Sequence, residues 1–536
     1  MQLRSSSTSP EEVVTAAQAD SEIHEYLEVS QRQHALFPRA ALVGVCAGIV
    51  AVIFRWLLAV ADSLRNGIVV WAHQMPLIGW ILPMAFSATL AAIALSIVVR
   101  FAPEAGGSGT PHLKAVLHRL RDVRWARVLW VKLIGGVLAI GSGMALGREG
   151  PTVQMGGAVG DGLARYLKVP TRDRLTLTAA GAGAGLAAAF NAPLSGLVFV
   201  LEEVQRDFRP AVFGAAFIAA ASSDIVARIA SGQLPVFRVP DYAAPALSTL
   251  PIFAVLGCLA GLLGIAFNRG LLLVLSLMAR VQRPATIVIA GLVGAMAGII
   301  AWFWPGMVGG GHDLAETVLT GNISLHLIPL LFLLRFALTL LSYGTGAAGG
   351  IFAPLLVLGA MTGLAVGQMM HALAPAYVPQ PGVFAVVGMA AYFTAIVRAP
   401  LTGVVLILEM TGNYEQMMPL LTSCFCAYAV AEYLRDVPIY EALLERDLVR
   451  GGITASHQQP FVVDFDVEEG APFCGKEVRE LGLPAGCILV RYEIAGREYV
   501  PAADTRLLPH SRITAVITPE AKNATELLRR GCEAGF

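Results

Sequence analysis

Two carboxylates stand inside apolar sequence. Glu149 lies in GREGP (147–151), and Glu203 ends the run NAPLSGLVFVLEE (191–203). A carboxylate is costly inside a membrane and is kept there for function. It can carry a proton, or contend with a bound anion for the same donors. Such donors come from the Gly- and Pro-rich junctions GSGTP (107–111), GREGP and GIFAP (350–354), each opening an apolar helix. The first amides of a helix have no partner within it and carry roughly half a positive charge. Several such ends aimed at one point hold an anion with no lysine or arginine. They also release it faster than a full cation would. Glycine lets the ion approach the amides closely. A single glycine reads more readily as a helix-packing residue; the matched pair GREGP and GIFAP points to anion binding.

A different chemistry competes for one of these segments. Gly106-Gly107-Ser108-Gly109 fits the GxSG pattern of intramembrane serine proteases, and His112 could share its face as the base a serine nucleophile needs. That reading leaves GREGP, GIFAP and the duplication below unexplained. No catalytic residue and no metal ligand is assigned, and the chain is read as a transporter, not an enzyme.

The elements that must position these residues follow from composition. The chain has 536 residues, 56% hydrophobic and 14% charged, with mean hydropathy +0.66. A soluble chain carries about 25% charge, and a disordered one is poor in hydrophobic residues. Lys+Arg and Asp+Glu are both 38, so there is no basic footprint for nucleic acid. A polytopic membrane protein remains. Long apolar runs fall near 40–61, 76–99, 126–146, 211–231, 250–280, 284–304, 325–341, 352–375 and 415–434. Between them lie pieces too short to cross about 30 Å of hydrocarbon at about 1.5 Å per residue. Short, broken apolar segments point to a transporter site, because irregular backbone survives at that depth only when it is buried or lines a cavity.

The chain is also duplicated. GGSGTPHLKAVL (106–117) resembles VGGGHDLAETVL (308–319), GREGP resembles GIFAP, and NAPLSGLVFVLEE resembles RAPLTGVVLILEM (398–410), at offsets of 202, 203 and 207 residues. The breaks in the symmetry carry information. Glu202 matches Glu409, but Glu203 faces Met410 and Glu149 faces Phe352 or Ala353. The number of spans per copy, and so their relative orientation, does not follow from the apolar runs.

These motifs resemble the CLC chloride channel and transporter family. GSGTP, GREGP, GIFAP and a late Tyr440 look like its four anion-lining segments, and AAAFNAPLSGLVFVLEE (187–203) and RAPLTGVVLILEMTGNY (398–414) extend the resemblance over about 36–448. It implies an all-α polytopic membrane protein of inverted-repeat architecture, with many tilted and broken helices, working as a homodimer with one anion pathway per subunit. It implies chloride contacts from the Ser108 and Tyr440 hydroxyls and the amides of Ile351 and Phe352. The outer anion site falls to the backbone of Arg148, Glu149 and Gly150, with Glu149 as the gating glutamate. Arg148 adjoins Glu149, and neighbouring helix residues point apart. Glu203 resembles the internal proton-transfer residue of the family's anion/proton antiporters; its passive channels usually carry an apolar residue there. Glu202 reads as a solvated helix-end carboxylate. The expected activity is chloride/proton exchange across a cell (inner) membrane, with a passive gated chloride channel as the alternative. The substrates are chloride and protons, with no cofactor. Ser108 resembles the serine of chloride-preferring members. His112 and Lys114 depart from the family, which often has acids there; Lys114 is expected to repel Lys132 and to disturb the proton route.

The C-terminal part alternates apolar and polar residues, as in FVVDFDV (461–467), ILVRYEI (488–494) and ITAVI (513–517), which reads as short strands. One helix is expected near GKEVRELGL. The stretch resembles the TrkA-C (RCK C-terminal) fold, implying a small α+β regulatory domain for a small-molecule ligand or for dimerisation. The expected division is an arm at 1–39, a membrane domain at 40–448 with repeats near 40–231 and 250–440, a linker at 449–459, and a tail domain at 460–536. No secretory leader is visible. Seven cysteines form no metal-ligand or disulfide framework. Both termini are therefore expected in the cytosol.

Overall fold

The computed structural model describes residues 10–75, 77–321, 323–450, 460–494, 497–518, 521 and 523–533, with backbone alone for 10–33 and 283. The chain divides into two compact units, Met1–Leu444 and Glu445–Phe536. The linker expected at 449–459 lies outside the described residues from 451 onward, as do residues 1–9 of the arm.

The first unit repeats one series of eight helices. It begins with α1 (Pro10–Ala72), α2 (Ile81–Phe101), α3 (Thr110–Leu117), α4 (Trp125–Gly141), α5 (Glu149–Tyr166), α6 (Thr171–Phe190), α7 (Pro193–Phe199) and α8 (Pro210–Ser231). The series returns as α9 (Leu250–Ala279), α10 (Arg283–Phe303), α11 (His312–Leu319), α12 (Ile328–Gly344), α13 (Phe352–Leu373), α14 (Gly382–Val397), α15 (Pro400–Thr411) and α16 (Met417–Tyr433); α17 (Ile439–Arg450) follows. Packing partners repeat with the elements: α5 on α6 as α13 on α14, α1 on α8 as α9 on α16. Among the described residues six helices are long and apolar enough to span a membrane, while α3, α7, α11 and α15 are too short. From residue 10 the polar arm is helical, and α1 runs on from it into the first apolar run.

Local chemistry sets the breaks. Asn191 (φ 51°) and Arg398 (φ 67°) adopt the left-handed conformation that ends α6 and α14, and Pro193 and Pro400 then start α7 and α15. Proline suits a first helical position because it lacks an amide that would otherwise be unsatisfied. Gly109 (φ 85°) precedes α3; a side chain there would be strained and would strike Gln154. At the crossing of α5 and α6, Gly156 and Gly181 face each other so closely that a Cβ on either meets the other's carbonyl.

The two halves are laced together at their breaks. Gly107 N–H donates to the Ala347 carbonyl (3.0 Å) and Gly349 N–H to that of Gly107 (3.1 Å), while Gly147 and Gly350 exchange both backbone bonds at 2.7 and 2.8 Å. Glu409 of α15 accepts from the Leu194 and Ser195 amides at the start of α7, at 3.0 and 2.7 Å. Glu202 accepts in the same way from Leu401 and Thr402 of α15, at 3.1 and 2.7 Å. Glu202 is therefore a helix cap, not the solvated carboxylate expected from its place at a helix end. Its fixed acceptors meet the positive end of α15.

The second unit holds an antiparallel sheet of β1 (Phe461–Asp466), β2 (Cys487–Ile494), β3 (Arg497–Tyr499) and β4 (Arg512–Ile517) in the order β1-β4-β2-β3, with α18 (Asn523–Cys532). Its core includes Phe473, Leu489, Ile513, Ala515 and Leu528. The helix expected near GKEVRELGL is only a single 3-10 turn at Val478–Glu480. Gly475 and Gly482, both at positive φ, bracket it, and Pro484 follows. Among the described residues, the α-helix that accompanies the sheet is α18.

Candidate functional site

The broken segments converge. Ser108, just ahead of α3, is buried, and Gly150 in the first turn of α5 lies against it: a Cβ on Gly150 would stand 2.5 Å from the Ser108 Oγ. Gly350, just ahead of α13, closes on the Gly150 amide from the other half. Ile351 caps α13 and Phe352 is its first residue, so their amides have no acceptor within the helix. The Phe352 ring packs against Phe190 and Phe393 at 5.4 and 4.5 Å, an apolar collar beside these amides. Tyr440, at the start of α17, is buried, and its hydroxyl lies close to Ser108. Ser108 Oγ also lies 3.2 Å from Thr110 Oγ1, and the Ser108 amide donates to the Tyr343 hydroxyl. Ser108, Gly150, Ile351 with Phe352, and Tyr440 are thus brought together from four separate segments.

Glu149 completes the group. It is 2% exposed, and its Oε2 accepts the Ala353 amide at 3.3 Å. A carboxylate thus rests on the first turn of α13, where an anion would be held. Arg148 does not point wholly away: its Nε comes within 3.9 Å of Glu149 Oε1. A cavity of roughly 250 Å³ reaches Glu149 and Ala353, its wall carrying Arg55, Arg65 and Arg148 beside Asp62 and Asp313. With Glu149 counted, three arginines face three carboxylates along this wall.

Glu203 stands apart from this group. It is 1% exposed, in the π-helical turn Val200–Val204 that follows α7. Such turns recur at functional sites. Its partner corrects the sequence expectation: Lys114 does not repel a neighbouring lysine but places Nζ 2.7 Å from Glu203 Oε1. Lys132 is engaged elsewhere, donating to the carbonyls of Ala105 (2.9 Å) and Gly107 (2.6 Å) and so holding the turn before Ser108. Arg335 of α12 does the same for Met307 and Gly309 ahead of α11, both at 2.7 Å. Sequence reasoning missed this pairing, although Lys132 and Arg335 lie one repeat offset apart. It also missed Tyr343, Arg206 and Glu441, which lie at no motif position.

The sequence profile of the voltage gated chloride channel family matches residues 90–432, and that of the TrkA-C domain matches 462–528. The chain is 42% identical over 437 residues to the H(+)/Cl(-) exchange transporter ClcA of Vibrio parahaemolyticus, covering 80% of this chain and 92% of that protein. It is 40% identical over 420 residues to the protein of the same name from Salmonella paratyphi A, covering 77% and 88%. Among solved structures, a slow cyanobacterial Cl−/H+ antiporter superposes with TM-score 0.75 at 35% identity, covering 78% of this chain and 99% of that one. A eukaryotic CLC transporter gives TM-score 0.66 at 25% identity, covering 85% and 79%.

Proposed function

This chain belongs to the voltage gated chloride channel family, and from that premise we propose that it exchanges chloride for protons across a cell membrane. The observation that carries the reading is the Glu149 carboxylate resting on the Ala353 amide. A charged Glu149 occupies the outer anion position, among the amides of Arg148, Glu149 and Gly150. Once protonated it loses its hold on those donors and gives way to chloride. The central chloride is held by the hydroxyls of Ser108 and Tyr440 and the amides of Ile351 and Phe352, without a full cation. Glu203 carries the proton on the other side of this constriction. Support for exchange over passive conduction comes from the activity named for the relatives and from the buried carboxylate at 203.

The basic residues after α3 and α5, Arg119, Arg121, Arg124 and Lys168, with Arg172 in the first turn of α6, support a cytosolic position for this side by the positive-inside rule. Arg172 lies within electrostatic range of Asp207, a few residues beyond Glu203, so Glu203 faces the cytosol and Glu149 the outside. Both termini are cytosolic, the membrane is the inner membrane, and the working unit is a homodimer. The C-terminal unit is regulatory, sensing a small molecule or joining two copies.

The test uses purified protein in chloride-loaded liposomes, with a chloride gradient imposed and external pH recorded. Uphill proton movement that a proton ionophore collapses is the expected result. Chloride flux with no proton movement would overturn the antiport reading in favour of a channel.

A further inference from the structure

Lys114 Nζ donates to two carboxylates, Glu203 at 2.7 Å and Glu441 at 2.8 Å. The two differ in access to water. The Glu203 side chain is 1% exposed and that of Glu441 is 27% exposed. The lysine between them is buried, so the three form a line from the surface inward. Each carboxylate keeps its second oxygen, Oε2, buried with no hydrogen-bond donor, which leaves room for a proton. Among the described residues Arg206 supplies the second cation paired with them: its Nη2 sits 2.5 Å from Glu441 Oε1 and 3.8 Å from Glu203 Oε2. His118, at the end of α3, feels Lys114, Arg206 and Glu441 from the surface side. Two cations and two carboxylates balance, so the cluster can take in one proton and hand on one without a lasting change of charge. Glu441 also follows Tyr440 directly on α17, which ties this line to the anion constriction.

We propose that Glu441 is the cytosol-facing proton station of this chain, and that Lys114 passes the proton from it to Glu203. In the sequence, cytosolic hydronium protonates the Glu441 carboxylate and leaves water. The Lys114 ammonium gives one proton to the Glu203 carboxylate, forming a neutral amine and a neutral acid. Neutral Glu441 then returns a proton to the amine, restoring the ammonium and its own carboxylate. One proton has moved from water to Glu203, with no bond to carbon changed. A lysine can do this because its ammonium deprotonates when desolvated; an arginine at the same place keeps its proton. This inference rests on the antiport reading above.

The experiment compares the full-length wild type with Glu441→Gln, Glu441→Asp and Lys114→Arg in the same liposomes, reading proton and chloride fluxes separately, with a thermal melt for each protein. Glu441→Gln is expected to lower the proton flux at least about tenfold while chloride continues to move. Glu441→Asp is expected to restore much of the proton flux. Lys114→Arg keeps the charge and is expected to lose proton flux as Glu441→Gln does. A residue that merely balances charge would, when neutralised, lower the melting temperature and both fluxes together, and that result overturns the proposal. So does an unchanged proton-to-chloride ratio in Glu441→Gln. Proton flux retained in a folded Lys114→Arg protein overturns the lysine step. If the wild type itself moves no protons, the antiport reading has failed, and that outcome is separate from the others.

Discussion

Replacing Gly150 by alanine perturbs the proposed anion site at a close contact. A Cβ there would stand 2.5 Å from Ser108 Oγ, 2.8 Å from the Ser108 carbonyl oxygen and 3.1 Å from its Cα. Carbon contacts settle near 3.5–4.0 Å, so the Ser108 segment has to retreat by about 0.5–1 Å. The retreat is resisted, because Gly107 is bonded to Ala347 and Gly349, and Lys132 grips the Gly107 carbonyl. Overpacking of this kind costs about 1–3 kcal/mol of stability. A shift of that size also takes the Ser108 hydroxyl out of reach of an anion seated among the helix starts. A hydrogen bond to a charged group contributes about 1.5–3 kcal/mol, so chloride affinity should fall roughly 10- to 150-fold. Calorimetric titration of chloride into purified protein measures this, beside a thermal melt. Gly67→Ala on α1 is the control, since nothing lies within 4 Å of its Cβ; it should leave chloride affinity unchanged. A Gly150→Ala protein that melts lower but binds chloride within about twofold of wild type would place the ion elsewhere.

Three further outcomes are expected. Glu149→Gln, a stand-in for the protonated acid, should leave chloride transport running with no coupled proton movement in the liposome assay; persistent proton uptake would remove Glu149 from the route. Glu409→Ala deletes the acceptor of two α7 amides and should destabilise the membrane unit by about 1–3 kcal/mol in a reversible unfolding measurement, a loss below about 0.5 kcal/mol counting against the cap. In the C-terminal unit, burial pushes the Cys532 thiol up to about 12. The native unit then holds that proton where the unfolded chain has lost it, so its stability should decline as pH rises above about 8.5. Cys532 should likewise resist maleimide until the unit unfolds, as mass spectrometry would read; fast labelling of the native protein contradicts this.

Much of the membrane fold was legible because it is written twice. Three motif pairs at nearly one offset predict the duplication, and the glycine and proline junctions mark where helices break; that each copy holds eight helices came only from the structure. The convergence of Ser108, Glu149, Ile351, Phe352 and Tyr440 was legible only through family resemblance, since no periodicity joins segments hundreds of residues apart. The charges were misread for a related reason. Lys114 was weighed against Lys132, its neighbour in sequence terms, whereas its partners Glu203 and Glu441 arrive from other helices. Glu202 looked solvated because a helix end ordinarily meets water; here it meets the start of another helix. In the tail, strand alternation was reliable, but GKEVRELGL carries helix-forming residues on a stretch too short between its glycines to propagate.

The crossed carboxylate caps bear on how the protein is made. The amides of Leu194 and Ser195 are satisfied by a residue that emerges 215 positions later. At about 5–20 residues per second of synthesis, the first half waits roughly 10–40 s with that helix start uncapped in or near the bilayer. Its polar end must borrow water, lipid headgroups or an insertion partner until Glu409 arrives. Each half therefore completes the other, and the duplicated gene, once its products had exchanged caps, could no longer be divided into two self-sufficient polypeptides without leaving a bare helix end in both.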